Sequence, residues 1–413
     1  MKNCPKIFVA LFFAAIAASF CGSNAYGTTK HYVITNDDVA AGPNTATVAE
    51  LDPLTGSLKS VTVLNTGGFG AGGGYFGLSR GAAGSSTCIF ISDAGTTING
   101  QQVGDIAAFI APGFKLVGNF SNPSLSGLAN GIGLAVNPNN QYLYAAYSTT
   151  KNIGVWQIGA DCSLTLSSTT AAPNAIGGMA FAQQAAGGQY LAVSYPRYPY
   201  KSFVDLFIIT DGGATVTEEA PGPQLAYSMP IGVDIPEDGN VVIFGDTSNP
   251  EEIETWWIST TPGTCTPSTA APPCLSAHQN FSRLSIGDNS SNLWLSPAAW
   301  SNPTTGGCLY ISANTTIQVS TATFVEGTTP GTVRITPTAR SPYTIAQGTG
   351  TNYTVSIQTV TDTGTGGAIY VVEWPNYIAT VPVNSDCSLG TGKATPDPAA
   401  GAALLSITAW PPR

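Results

Sequence analysis

The chain has 413 residues, only 9% of them charged, and its 24 acidic and 14 basic side chains give a formal charge of −10. Lysine and arginine are too sparse to release counterions from a polyanion, which excludes nucleic acid as a partner and argues equally against adhesion to an anionic membrane through basic patches. Gly, Pro, Thr, Ser and Asn are mixed with β-branched and aromatic residues, a composition that favours short strands and tight turns and shows no long amphipathic helix.

At the amino end, Lys2 and Lys6 precede the apolar run 7–18 and a small-residue stretch ending "SNA" at 23–25. This is the pattern of a secretory signal over 1–25, cleaved after Ala25. Cys21 suits a lipid anchor poorly because bulky Phe20 precedes it. The apolar run is short for a membrane span and no later segment offers a longer one, so the mature chain is expected to be secreted or periplasmic with no membrane span. Cleavage removes two of the 14 basic residues and none of the 24 acidic ones, taking the charge from −10 to −12.

Three strands follow in "HYVITNDD", "TATVAELDP" and "KSVTVLN", within 31–65, and they lack an inner partner. Six further units occupy 74–120, 131–171, 175–220, 229–286, 290–340 and 343–396. The repeat is plainest in "IGLAVNPNNQYLYAAYSTTKNIGVWQI", "IGGMAFAQQAAGGQYLAVSYPRYPYKSFVDLFII" and "IGVDIPEDGNVVIFGDTSNPEEIETWWIST". Each has a small-residue apolar strand, a Pro/Asn/Gly turn, an apolar strand, a polar loop and an aromatic-rich strand; the strand after the last turn makes a sheet of four. Such a sheet cannot bury both faces alone, so neighbours must stack on it. The last apolar stretch, "AALLSITAW" at 402–410, has the character of the missing inner strand, and its pairing with 31–65 closes the ring without an open edge. The expected fold is therefore all-β: a single domain over 26–413 forming a seven-bladed propeller of four-stranded antiparallel blades, and a monomer. The glycine run 67–74 reads as a linker between blades, and 259–286 as an exposed ornament.

Six cysteines remain outside the signal, an even number for an oxidising compartment. "TCIFIS" around Cys88 matches "GCLYIS" around Cys308, and "ADCSLT" around Cys162 matches "SDCSLG" around Cys387. Six cysteines allow fifteen pairings. Repeat symmetry selects Cys88–Cys162 and Cys308–Cys387, each stapling neighbouring blades, and leaves Cys265 and Cys274 for a local bridge. These six have no Cys-x-x-Cys spacing, so no metal site is expected from them.

The stretch "NPNNQYLYAAYSTTKNIGVWQI", with "YVITND" and "ELDPLTGSLKSV", resembles the seven-bladed lactonase-like propellers of the YVTN type, in which a Pro/Asn turn leads into a Tyr-Leu-Tyr strand. The resemblance is clearest over 31–65 and 131–170 and fades after about 220. It implies the propeller architecture and, for some members, lactone hydrolysis; the fold itself serves many functions.

Opening a lactone needs a base or metal to activate water and donors for the developing oxyanion. The mature chain has two histidines, His31 at the start of a strand and His278 in the 259–286 segment, and both read as ordinary strand or surface residues. There is no Gly-x-Ser-x-Gly elbow, His-Glu-x-x-His helix or phosphate loop. No EF-hand spacing points to calcium, and no Cys-x-x-Cys-His points to haem, so no cofactor is expected and no catalytic residue is assigned. Asn119, Asn280, Asn289, Asn314 and Asn352 begin glycosylation sequons.

The remaining candidates lie where second strands turn into third strands, all on one rim. They are Asp37, Asp38, Asp93 and Asp105, then Lys151, Tyr195, Arg197, Tyr198 and Lys201, then Asp246, Glu251 and Glu252, and last Glu373 and Trp374. "YPRYPYK" at 195–201 concentrates this chemistry: Pro196 and Pro199 stiffen the loop, tyrosine offers stacking faces and arginine a forked donor, with acids of other blades as counter-charges. A plainer reading has this loop merely solvate a hairpin and pair with Glu251 or Glu252. The function expected is a binding or interaction propeller that takes a small-molecule or protein ligand on this rim. The alternative is a lactonase-like hydrolase in which Asp or Glu activates water and Arg197 is the oxyanion donor.

Overall fold

The computed structural model describes residues 30–412 apart from 40–41, 54, 71, 73–80, 99–100, 127–131, 185–186, 197–200, 221, 227–228, 237, 247–251, 266–270, 283–289, 296–306, 314–315, 328, 346, 351–352, 361–366 and 405. The signal segment expected over 1–25 lies outside these residues.

Burial separates the strands by their place in a sheet. "YLYAAY" at Tyr142–Tyr147 is buried on both faces after its first residue, whereas Leu164–Ala171 alternates between covered and exposed. A strand apolar on both faces needs a sheet packed on either side; an alternating one suits the periphery.

Seven antiparallel sheets meet that requirement. Blade 1 runs, from the centre outward, Ser406–Trp410, Tyr32–Asn36, Pro43–Leu51, Leu58–Phe69. Blade 2 is Ala82–Gly84, Cys88–Ile98, Gln101–Ile110, Lys115–Ser126, and blade 3 is Ile132–Val136, Tyr142–Tyr147, Asn152–Ile158, Leu164–Ala171. Blade 4 is Gly178–Gln183, Gln189–Tyr195, Phe203–Thr210, Thr215–Glu218; blade 5 is Pro230–Asp234, Val241–Asp246, Glu252–Ser259, Cys274–Ser282. Blade 6 is Ser290–Leu295, Gly307–Ala313, Gln318–Glu326, Val333–Pro337, and blade 7 is Tyr353–Val360, Ala368–Trp374, Tyr377–Pro382, Lys393–Pro396. Each inner strand touches the inner strands of both neighbouring blades, from blade 1 around to blade 7 and back, so the ring is closed. Among the described residues the one helical turn is Asp211–Gly213, and no helix is long and apolar enough to cross a membrane.

The ends of the chain share blade 1. Tyr32, Val33, Ile34, Thr35 and Asn36 pair with Trp410, Ala409, Thr408, Ile407 and Ser406. Val33 and Ile407 join Tyr370, Val372 and Leu404 in the core between blades 7 and 1. On the other side, Trp410 lies beside Tyr32 and Phe114, with ring centroids 6.0 and 6.3 Å away, and its indole Nε1 donates to the Ser85 carbonyl of blade 2 at 3.0 Å.

The disulfides are Cys88–Cys162, Cys265–Cys274 and Cys308–Cys387. The first joins blade 2 to blade 3 and the last joins blade 6 to blade 7, across separations of 74 and 79 residues. On a chain-entropy account each such loop closure stabilises the fold by about 4 kcal/mol.

Two sequence expectations change. Gly67 and Gly68 are not linker: they end the outer strand of blade 1, and a Cβ on Gly68 would collide with the Asp93 carboxyl of blade 2. Nor is 259–286 all ornament. Cys274–Ser282 is the outer strand of blade 5, paired from Ser259↔Cys274 to Glu252↔Ser282, and so satisfies backbone groups that would otherwise leave the third strand as an open edge.

Candidate functional site

Up-and-down order within every blade sets the loops between second and third strands on one rim, and the turns that carry Cys162 and Cys387 on the other. Most of the acids expected on the first rim face inward.

Asp37, at the end of Tyr32–Asn36, is fully buried. Its carboxyl accepts from the Thr35 and Thr45 hydroxyls at 2.5 and 2.7 Å and from the Thr47 amide at 3.1 Å, and the Thr47 hydroxyl lies 3.0 Å away. Burial nonetheless holds it above the usual carboxylate range. The buried Asp38 donates its amide to Asn36 Oδ1 at 3.2 Å. Asp93, also fully buried, accepts from Asn44 Nδ2 at 2.6 Å, Thr66 Oγ1 at 2.9 Å and Asn119 Nδ2 at 3.3 Å. It stands directly across the strand pair from Asp105, to which Asn119 also donates at 2.9 Å. Burial, then the Asp105 charge, pushes Asp93 well up, and burial raises Asp105 as well. Asn44 and Asn36 join these groups into one network, since Asn44 Nδ2 also donates to Asn36 Oδ1 at 2.9 Å and Asn36 Nδ2 donates to the Ser92 carbonyl at 2.7 Å.

Glu373 and Tyr195 are buried elsewhere. Glu373 accepts from the Gly348 amide at 3.0 Å, keeps Oε1 without a partner, and is pushed up to about 7 by burial. Trp374 is half-buried against the core between blades 7 and 1. Tyr195 is 1% exposed and donates its hydroxyl to Asp205 at 3.1 Å. Burial, then the Glu218 charge, pushes Asp205 up to about 8. Arg197, Tyr198 and Glu251 lie outside the described residues, as do the side chains of Asp246 and Glu252. Lys151 and Lys201 are exposed.

The expectation of surface counter-charges is thus corrected for Asp37, Asp38, Asp93, Asp105 and Glu373, and that of an exposed stacking ring for Tyr195. Threonine hydroxyls, asparagine amides and backbone amides serve the Asp37, Asp93 and Asp105 carboxyls inside the protein, which makes their burial tolerable, while Glu373 keeps one oxygen unserved.

Several partners escaped the sequence reading. Asp397, in the connection from blade 7 to the inner strand of blade 1, accepts from Thr47 Oγ1 at 2.9 Å and from the Ala399 amide at 2.8 Å, and burial followed by the Asp37 charge pushes it up to about 7. His278 is not bare surface either: Nε2 lies 3.1 Å from the buried Glu254 Oε2, and the ring stacks on Trp256 at 4.3 Å. An acid inside an apolar strand, as in "FVDLFII", is a signal that would have found Asp205. Nothing local marks Asp397.

Among the described residues no group of three His, Cys, Asp or Glu side chains could hold a metal ion. A groove of about 560 Å³ opens elsewhere, lined by Arg340, Tyr343, Asn384, Leu389 and Thr391 among others, and no candidate residue lines it.

No family model matches the chain, and no curated protein does. Solved structures do. A protein from Lactobacillus plantarum is 13% identical with a TM-score of 0.61, over 92% of this chain and 99% of that one. A putative 6-phosphogluconolactonase from Bacteroides fragilis is 12% identical at 0.61, over 93% and 99%. The periplasmic gluconolactonase of Pseudomonas aeruginosa is 11% identical at 0.61, over 92% and 99%. This chain has the seven-bladed, lactonase-like propeller fold. At such identities the likeness concerns the fold, and the chemistry must be argued from the rim itself.

Proposed function

We propose that the chain is an extracytoplasmic binding propeller that takes a small anionic ligand, of the sugar-acid class, on the rim formed by blades 3 and 4. One observation carries this reading. Where they are described, the rim's acids turn inward, so that among the described residues of the loops between second and third strands the exposed charges are Lys151 and Lys201, on adjacent blades. In a chain of net charge −10 that is a local reversal of sign, suited to steering and holding an anion. Arg197, Tyr198 and Pro199, in the loop ending at Lys201, would add a forked donor and a stacking face. Three disulfides support a location outside the cytoplasm.

Lactone hydrolysis is the second reading, favoured by Glu373 and Asp397. Each keeps one carboxyl oxygen without a partner and sits near 7, where a carboxyl can take up and release a proton at neutral pH. Both readings are tested on the disulfide-bonded protein by thermal shift with gluconate and 6-phosphogluconate and by pH-stat assay with gluconolactone. Stabilisation without turnover, lost in Lys151→Glu/Lys201→Glu, supports binding. Turnover abolished by Glu373→Gln would put hydrolysis first. Absence of both effects would remove the site.

A further inference from the structure

Blade 1 meets its neighbours through carboxyl groups that lack a basic partner. No Lys, Arg or His among the described residues pairs with Asp37, Asp93, Asp105 or Asp397.

On the blade 7 side, Thr47 Oγ1 of blade 1 lies 3.0 Å from Asp37 Oδ2 and 2.9 Å from Asp397 Oδ1. One hydroxyl carries one proton, so it cannot donate to both. Asp37 is already served by Thr35, Thr45 and the Thr47 amide. Asp397 is 6% exposed, and its Oδ2 has no partner at all. Two charges flanking a single buried hydroxyl would repel in a medium of low dielectric, whereas a proton on one acid removes the repulsion and the unmatched contact together.

On the blade 2 side, Asp93 and Asp105 stand opposite each other on adjacent strands, 0% and 2% exposed. Like charges in that position destabilise a sheet. Asn119 gives one amide proton to each acid, while Asn44 and Thr66 of blade 1 donate to Asp93 alone. Among the described residues, Tyr147 of blade 3 is a further titratable group near this pair; its phenol is raised by burial and feels the Asp105 charge. The Asn119 amide bridges the two carboxyls but carries no charge to offset theirs, and a proton on one of them removes the repulsion.

We propose that the head-to-tail blade is locked by protons: the Asp93–Asp105 and Asp37–Asp397 pairs each hold one proton in the closed ring, and alkaline conditions release both and loosen blade 1 from blades 2 and 7. The lock does not depend on what the rim binds. The direction of titration agrees, since all four acids are raised, Asp397 to about 7. A raised acid contributes stability that is fully present below its unfolded value near 4 and is lost as pH rises through its folded value. The window therefore opens near pH 4 and extends past 7.

The test is hydrogen exchange, corrected for intrinsic rates, on the full disulfide-bonded protein at pH 5.5 and 8.5, with thermal melts at the same values. Expected are a melting temperature lower by about 5 °C or more at pH 8.5 and an added loss of protection, tenfold or greater, confined to Tyr32–Asn36, Pro43–Leu51 and Ser406–Trp410 of blade 1 and to Cys88–Ile98 and Gln101–Ile110, the blade 2 strands that carry Asp93 and Asp105. Asp93→Asn and Asp397→Asn replace the protonated acid with an amide that donates at any pH, and each should reduce that loss. Other buried acids also lower the melting temperature in base, so location decides. Protection lost equally in all blades, or lost from blade 1 to the same extent in both variants, overturns the lock. If the variants do not fold, the wild-type exchange pattern decides by itself.

Discussion

Blades 2–3 and 6–7 are joined in one way and blade 1 in another. Each of those pairs is stapled by a disulfide near one rim, Cys88–Cys162 and Cys308–Cys387. Blade 1 lies between the two stapled pairs and shares no disulfide with either: beside its apolar contacts, its polar links include the Asn44 and Thr66 contacts to Asp93 on one side and the Thr47 contact to Asp397 on the other. The difference teaches where this ring should open. Covalent staples hold regardless of pH, whereas two buried acids in one pair are tolerated together only while one of them keeps its proton.

The largest effect should come from the shared strand. Ile407→Asp would bury an unpaired charge in the core between blades 7 and 1; a loss of about 4 kcal/mol or more, seen as a lower denaturant midpoint with a second transition, would mark blade 1 as the opening point. Next, Cys308→Ser with Cys387→Ser should cost about 2–5 kcal/mol in the same measurement while the transition stays single; a second transition there would erase the contrast between stapled and unstapled blades. Thr47→Val leaves Asp37 and Asp397 without the hydroxyl between them and should cost about 1–3 kcal/mol.

Asp205 sharpens the comparison, because it is a raised acid far from the seam, near 8 in blade 4. Its stabilising effect is whole below pH 4 and declines toward pH 8, by at most about 1.4 kcal/mol per pH unit. Asp205→Asn should flatten the pH dependence of the urea midpoint and leave exchange in blade 1 unchanged. Smallest of all, Lys201→Glu should alter stability by less than about 0.5 kcal/mol while abolishing the thermal shift produced by a bound sugar acid.

How much of this the sequence discloses depends on range. The propeller was legible because its unit recurs: "NQYLYAAY" and "GQYLAVSY" are the same buried strand in successive blades, and "AALLSITAW" needed a partner that only 31–65 lacked. The cysteine pairs followed from the same repetition. The acids were misplaced because a charged pair such as Asp37 and Asp38 in a loop normally faces water. What reverses the rule is the set of donors around it, of which Thr35, two residues before Asp37, and Thr45 and Thr47, two apart on one face, lie close enough in sequence to hint at it. Asp397 meets Thr47 350 residues away in the chain, a contact created by ring closure and invisible to any local pattern. The glycines of "GGFGAGGG" misled for a related reason: Gly68 is small because Asp93 of the next blade rests on it.

Strand exchange in blade 1 also has a bearing on biogenesis. A ribosome delivers Tyr32–Asn36 first and Ser406–Trp410 last, so the earliest strands wait with one edge bare while six other blades are made. Until the final segment arrives, that edge is a template for any extended peptide.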